Sequence, residues 1–134
     1  MKKIEIKQKV IEKDSNIIWN EFIDFACNAL DEGENLSEIQ NNAVLCFWYH
    51  SEMCSGGHSG YFDCYPNVSS QDLLKAMQKI GATKCIENFT TAIQTGESDG
   101  YEETDRLFYE LESDFLNLLQ SYIEKNINEF FEIK

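Results

Sequence analysis

The feature that most constrains the fold is a long apolar stripe near the end of the chain. Apolar side chains recur there at steps of three and four residues, which is the period of one helix face. Such a stripe must be covered by other elements, so it predicts a long helix packed against a core. Ser113 and Asp114 are poor interior helix formers and leave open a break into two helices. The stripe comprises Leu107, Phe108, Leu111, Phe115, Leu118, Leu119, Tyr122 and Ile123, and it continues less regularly to Phe130 and Phe131.

The first half of the chain also shows helical periods. Asp14 or Ser15 can cap a helix whose apolar positions run from residue 18 to residue 29. Residues 31–35, with a glycine among them, predict a short acidic turn after that helix. Residues 39–53 are apolar on nearly every face, which predicts a buried central helix.

Start and stop signals delimit the elements that follow. Ser37, with Gln40 three residues later, predicts a capping box at the start of the central helix. Three glycines and the only proline predict a loop over residues 54–67. Two further helices are predicted, over residues 73–80 and residues 82–94. The first of them has a serine cap at 69 or 70 and a left-handed glycine at 81.

The length of 134 residues and the hydrophobic content of 43% fit one domain over residues 1–134. Residues 1–14 form an N-terminal lead, by which we mean the segment before the first predicted helix, and the sequence leaves open whether it packs on the rest of the domain. Residues 4–10 permit a short extended segment within it. No other segment alternates as strands do. We therefore predict an all-α fold, a single-domain helical bundle of about five to seven helices.

The net charge of -13 lies in two blocks. The first acidic block, residues 15–64, has eight acids and no Lys or Arg, and the second, residues 97–134, has eleven acids and three bases. Such a surface repels phosphate backbones, so direct nucleic-acid binding is not expected. It would steer basic proteins at long range, although solubility alone is the alternative explanation of the charge.

The compartment predicted from the sequence is the cytoplasm. The start of the chain lacks the continuous apolar stretch of an export signal, and no run approaches the ~20 residues that a membrane helix needs. An odd number of cysteines scattered through apolar segments favours reduced thiols over a disulfide framework. These cysteines are Cys27, Cys46, Cys54, Cys64 and Cys85.

Cys46, His50, Cys54 and His58 follow one another at steps of four residues, so a metal or thiol site has to be considered. Each such step rotates by about 40° around a helix, so one continuous helix cannot close all four around an ion. We therefore expect no bound metal, no cofactor and no catalytic residue. A metal- or thiol-dependent enzyme built on these four residues remains the enzymatic alternative.

The middle of the chain contains a glycine motif followed by a helix that ends in Ile-Gly-Ala. The motif residues are Ser55, Gly56, Gly57, Tyr61, Phe62, Leu73, Leu74, Ala76, Ile80, Gly81 and Ala82. With these residues the chain resembles a bacterial family of unknown function that is named for the C-terminal domain of a DNA-mimic protein. The segment from Phe108 to Phe130 is similar to the C-terminal helices of that family.

This chain departs from the family pattern in the glycine loop. Ser55 stands where the family has Asn, His58 where it has an aromatic residue, and Gly60 near an expected Gln. The resemblance implies an all-helical fold. For the member that gives the family its name, it implies an acidic surface that competes with DNA for a DNA-binding protein.

The leading functional hypothesis is thus a non-enzymatic protein whose acidic surface engages a basic partner, such as a DNA-binding protein. An immunity-type inhibitor of a toxin is the alternative binding function. The acids expected to contact the partner are Glu97, Asp99, Glu102, Glu103, Asp105, Glu110, Glu112 and Asp114.

The predicted long helix tests this hypothesis. Glu103, Glu110 and Asp114 would line one flank of its apolar stripe, and Asp105 and Glu112 the other. An unbroken helix here would be about 45 Å long, over which duplex DNA carries roughly 26 phosphate charges. The acids of one helix carry far fewer charges per unit length than DNA does. Mimicry of DNA therefore requires that the first acidic block lie on the same face, or that a homodimer double the row of acids.

Overall fold

The computed structural model describes residues 3–32 and 35–134. The predicted all-α class is confirmed, with a tiny two-stranded sheet as the only strands in these two ranges. The elements are β1 Ile4–Ile6, α1 Gln8–Lys13, α2 Ile17–Glu32, α3 Glu38–Met53, α4 Gly57–Cys64, α5 Ser70–Ile80, α6 Thr83–Thr95, a 3-10 turn Gly96–Asp99, α7 Glu102–Lys125, α8 Ile127–Phe130 and β2 Phe131–Ile133. The described residues thus form eight α-helices, which are the five predicted from apolar periods and three short ones, α1, α4 and α8.

Helix α3 is the central element, as its nearly all-round apolar pattern predicts, and it packs against α2, α4, α5 and α7. Its Tyr49 is fully buried and is surrounded by aromatic rings from three other helices. Edge-on contacts of this kind add to the free energy gained by burying the rings. The rings around Tyr49 belong to Tyr61 of α4, Phe89 of α6, and Phe108 and Phe115 of α7.

Helix α7 runs without interruption over 24 residues. Ser113 and Asp114 do not break it, because both are exposed and keep their side chains in water while Phe115 beside them is buried. The helix ends at Asn126 instead. The side-chain amide of Asn126 donates to the backbone oxygen of Tyr122 at 2.8 Å.

The predicted loop over residues 54–67 is wrong in its centre, where the structure contains helix α4. The glycines that predicted a loop lower helix propensity, but this short helix buries His58 and Tyr61 in the core. Gly60 lies against the Glu52 side chain, since a Cβ at this position would lie 2.7 Å from Oε1 of Glu52 and would displace that carboxylate. Tertiary packing therefore outweighs local propensity in this segment.

The two chain ends meet in a parallel pair of strands, with Ile4 opposite Phe131 and Ile6 opposite Ile133. The N-terminal lead is thus bonded to the C-terminal strand, and Ile6 enters the core. The predicted acidic turn lies partly outside the described residues, since α2 continues to Glu32 and residues 33–34 are not described. Among the helices that are described, none combines the length and the apolar character needed to cross a bilayer.

The predicted capping box is present and can be tested by mutation. Ser37 Oγ accepts from the Gln40 backbone at 3.1 Å, and Gln40 Oε1 accepts from the Ser37 backbone at 3.0 Å. Ser37→Ala should lower the free energy of unfolding by about 1 kcal/mol. Ser113→Ala is the matched control and should leave it equal or raise it by about 0.5 kcal/mol, since Ala is the better helix former. Urea unfolding measures both, and equal losses in the two variants would refute the capping argument.

Candidate functional site

The acids predicted to contact a partner lie on two sides of α7 and on the turn before it. Six of them are exposed, whereas Asp105 and Glu112 are partly buried against α4 and α3. We call the six exposed acids the acidic surface. They are Glu97, Asp99, Glu102, Glu103, Glu110 and Asp114.

One base lies within the acidic surface. Arg106 donates to Glu103 and to Glu110, its neighbours three and four residues away along the helix. The hydrogen bond from Arg106 lowers the pKa of Glu103. Asp99 has a different role, because its Oδ2 accepts from the backbone N–H of Glu103 at 3.1 Å and so caps the first turn of α7.

The remaining three acids of this surface are free. The side chains of Glu97, Glu102 and Asp114 form no ion pair or hydrogen bond within residues 3–32 and 35–134. Tyr109 lies on the same solvent-facing half of α7 with 69% of its area exposed. The surface therefore combines uncompensated carboxylates with one large exposed aromatic ring.

The two acidic blocks approach each other along the contact between α3 and α8. Glu38 of the first block begins α3, and Glu129 of the second block lies in α8, which packs against α3. The side-chain amide of Gln40 on α3 donates to the backbone oxygen of Glu129 at 2.7 Å. The two blocks therefore meet beyond the C-terminal end of α7, away from the six acids of the acidic surface.

His58 lies at the centre of a buried hydrogen-bond chain, the Tyr49–His58–Asp105 chain. Asp105 Oδ1 accepts from His58 Nδ1 at 2.7 Å and from the His58 backbone N–H at 2.9 Å. The other ring nitrogen, Nε2, lies 2.7 Å from the Tyr49 hydroxyl. Because a carboxylate only accepts, Nδ1 carries the proton, and Nε2 of the neutral ring accepts from Tyr49 O–H.

Burial determines what this chain of hydrogen bonds can do. It lowers the pKa of His58, and the hydrogen bond and charge of Asp105 only partly offset this effect. It also raises the pKa of Tyr49 well above that of a free tyrosine. Since Tyr49 and His58 are both fully buried, no substrate in solution reaches the hydroxyl or the imidazole. This arrangement serves the fold.

The structure separates the four residues considered for a metal or thiol enzyme. His58 belongs to the buried chain, and Cys46 lies in the core, where burial strongly raises the pKa of its thiol. His50 and Cys54 are together, with Nε2 and Sγ 3.8 Å apart, and Glu112 Oε1 lies 2.8 Å from the same Nε2. Partial burial and the charge of Glu112 raise the pKa of Cys54.

The sequence does not reveal which residues pair with the two histidines. It predicts that Asp105 and Glu112 contact a partner, yet each carboxylate forms a hydrogen bond to a histidine on another helix. Their positions contained a signal, because both lie on the flank of α7 nearest the apolar stripe and are seven residues apart. Nothing in the sequence indicated which histidine each one meets.

The fold and the charge define a small, acidic, all-helical protein. The sequence model of the DMP19-like proteins matches residues 34–130, well over half of the chain. The chain belongs to the DMP19-like protein family. This agrees with the family resemblance seen in the glycine motif. Searches of curated proteins and of solved structures gave no significant match.

Two glycines with left-handed backbones provide a matched test of the packing at the start of α4. Gly57 has φ +67°, and a Cβ there would collide with the carboxylate of Asp105. Gly100 has φ +64° with nothing within 4 Å of its Cβ position. Gly100→Ala should cost about 1 kcal/mol of stability through backbone strain alone. Gly57→Ala should cost roughly 2–4 kcal/mol, because it also displaces Asp105 from His58. Equal losses in urea unfolding would contradict the collision.

His58 should make stability depend on pH. Folding lowers the pKa of His58, so the unfolded chain binds a proton at this position more readily than the folded chain. The contribution of His58 to the free energy of unfolding is therefore complete only above its unfolded pKa of about 6.5. It is lost as pH falls from there through the folded pKa. The other titratable groups packed around the ring are Tyr49, Tyr101 and Asp105.

The prediction is measured as a difference between wild type and His58→Gln. The stability advantage of the wild type should shrink by about 1 kcal/mol between pH 7.5 and pH 5.5, since the variant has no proton to bind at this position. Urea unfolding at each pH gives the two curves. A constant advantage would show that folding does not lower the pKa of His58, and an advantage that grows toward low pH would show that folding raises it.

Proposed function

We propose that the chain is a non-enzymatic binding protein that uses its acidic surface to engage a basic protein, in the manner of a DNA mimic. The observation that carries the proposal is the density of exposed carboxylates around the start of α7, with Arg106 as the single base between residues 97 and 124. Membership of the DMP19-like family supports the same function.

The free carboxylates fit electrostatic recognition. Glu97, Glu102 and Asp114 form no ion pair in the described part of the chain, so a cationic partner need not break an existing one to reach them. Charges at the rim of an interface mainly raise the association rate and the sensitivity to salt. A basic surface would therefore be attracted before it makes close contact.

Tyr109 adds an aromatic contact area that the carboxylates do not provide. Its ring is exposed on α7, and tyrosine is among the residues that contribute most to binding energy at protein interfaces. It also offers an aromatic face to the guanidinium groups of arginine, which abound on proteins that bind DNA. Tyr109 is therefore the proposed anchor of the interface.

The spacing of the acids limits how closely α7 alone imitates a duplex. Its 24 residues span about 36 Å, over which DNA carries roughly 21 phosphate charges. Glu103, Glu110 and Asp114 form a row with rises of about 10 Å and 6 Å, and Arg106 partly neutralises the first two. Full mimicry thus requires a second set of acids, either from the first acidic block or from a second copy in a homodimer.

The test uses charge variants that leave the core untouched. Neutralising the three free acids, with Glu97→Gln, Glu102→Gln and Asp114→Asn together, should weaken partner binding about tenfold or more at low salt. Arg106→Gln should strengthen it severalfold, because the variant frees Glu103 and Glu110. Surface plasmon resonance at two salt concentrations measures both.

The control removes three charges elsewhere. Glu12→Gln, Asp24→Asn and Glu132→Gln change exposed acids outside the acidic surface and give the same net charge as the first triple variant. Binding should fall much less in this control. Equal weakening by the two triple variants, or affinity unchanged by salt, would contradict recognition through the acidic surface.

The partner can be identified by capture on the immobilised chain at low salt. We expect a basic DNA-binding protein that is released by high salt and also by a competing 24-base-pair duplex. A captured toxin whose activity the chain inhibits, without competition by DNA, would favour the immunity-type alternative. Capture of no basic protein would contradict both functions.

Light scattering of the purified chain tests whether it forms the homodimer that would supply a second set of acids.

A further inference from the structure

We propose that His50, Cys54 and Glu112 form a binding site for a zinc-like divalent cation. This group was not apparent in the sequence, because Glu112 lies 58 positions after Cys54 and comes from another helix. Each residue offers one ligand atom, and the three atoms all lie within 4.8 Å of one another. No other group of three or more such side chains converges in this way in the part of the chain that is described.

The donor set selects the class of metal. Imidazole nitrogen, thiolate sulfur and carboxylate oxygen together suit Zn²⁺ and not Mg²⁺ or Ca²⁺, which take oxygen ligands. Three protein ligands leave a fourth tetrahedral position for water. The ligands carry two negative charges when the thiol and the carboxyl are ionised, which matches the charge of the ion.

The distances are close to those of a tetrahedral zinc site. Typical zinc bond lengths place a nitrogen and a sulfur ligand about 3.6 Å apart, and a nitrogen and an oxygen ligand about 3.4 Å apart. The structure has 3.8 Å between His50 Nε2 and Cys54 Sγ, and 2.8 Å between His50 Nε2 and Glu112 Oε1. The ion would replace the proton between His50 and Glu112, and this pair would open by about 0.6 Å.

The fold holds the three ligands in place. His50 and Cys54 are one helical turn apart at the end of α3, so their side chains project from the same face. Glu112 reaches them from α7, which packs along α3. The His50 ring stacks parallel to Phe115, with ring centroids 6.2 Å apart, and this contact fixes its orientation.

An ion can reach the site from solvent. Cys54 is exposed, and the side chains of His50 and Glu112 are 13% and 32% exposed. The net charge of -13 also raises the local concentration of cations. The competing explanation is that His50 and Glu112 only form a hydrogen bond that joins α3 to α7, with Cys54 nearby by chance.

Cobalt is the most direct probe, because a thiolate bound to Co²⁺ gives a charge-transfer absorption band that a hydrogen bond cannot produce. The experiment uses the Cys27→Ser, Cys64→Ser background, which leaves Cys54 as the only exposed thiol. We expect the band on addition of Co²⁺ and its loss on addition of Zn²⁺, which binds more tightly. No band, or a band that persists after Cys54→Ser, would overturn the proposal.

Affinity for Zn²⁺ then tests the other two ligands. His50→Gln and Glu112→Gln should each weaken binding at least about tenfold in competition with a chromophoric chelator. Glu110→Gln is the matched control on the same helix and should leave the affinity within about twofold. If all three variants bind Zn²⁺ equally, the proposal fails. Circular dichroism on each variant confirms that a lost affinity is not a lost fold.

Zinc should also stabilise the folded chain, since it binds the folded state and joins α3 to α7. At a hundredfold excess over the dissociation constant, the melting temperature should rise by roughly 10 °C, and by much less in His50→Gln. An equal rise in both proteins would place the ion elsewhere. The result does not depend on the acidic surface, because each readout reports on the metal and none on a protein partner.

Discussion

The Tyr49–His58–Asp105 chain is the interaction on which the rest of the structure depends. It joins α3, α4 and α7 through two hydrogen bonds of 2.7 Å, and Tyr49 and His58 are fully buried while Asp105 lies at the edge of the core. A buried polar group without a partner is costly, so each of these side chains constrains the other two. Gly57 allows Asp105 to approach, and the aromatic rings around Tyr49 exclude solvent. The position of α7, and therefore of the acids on its outer side, follows from this arrangement.

This dependence divides the carboxylates of α7 into two groups with different tasks. Asp105 and Glu112 face inward and bind histidines, whereas the exposed acids face solvent on the opposite side. Net charge alone does not distinguish these groups. The inward pair holds α7 against α3 and α4, whereas the outward group is exposed to solvent. The two histidines differ as well, since His58 is sealed in the core and His50 lies beside an exposed thiol.

Much of the fold could be predicted because its signals are local. The stripe of α7, the capping box at Ser37 and the left-handed glycine at Gly81 each depend on residues a few positions apart, and all three are present. Helix α4 could not be predicted, because its stability comes from burying His58 and Tyr61 and not from the propensity of its glycines. The carboxylate partners of both histidines could not be predicted either. They lie 47 and 62 positions away, and only the packing of α7 brings them together.

The central claim is that His58 is a neutral ring fixed between a carboxylate and a tyrosine, and nuclear magnetic resonance of the histidine side-chain nitrogens tests it most directly. At pH 7 the account predicts one histidine with its proton on Nδ1 and with slow solvent exchange. That signal should stay neutral as the pH is lowered below 6.5, where a free histidine becomes charged. A His58 ring protonated on Nε2, or one that is charged at neutral pH, would contradict the account.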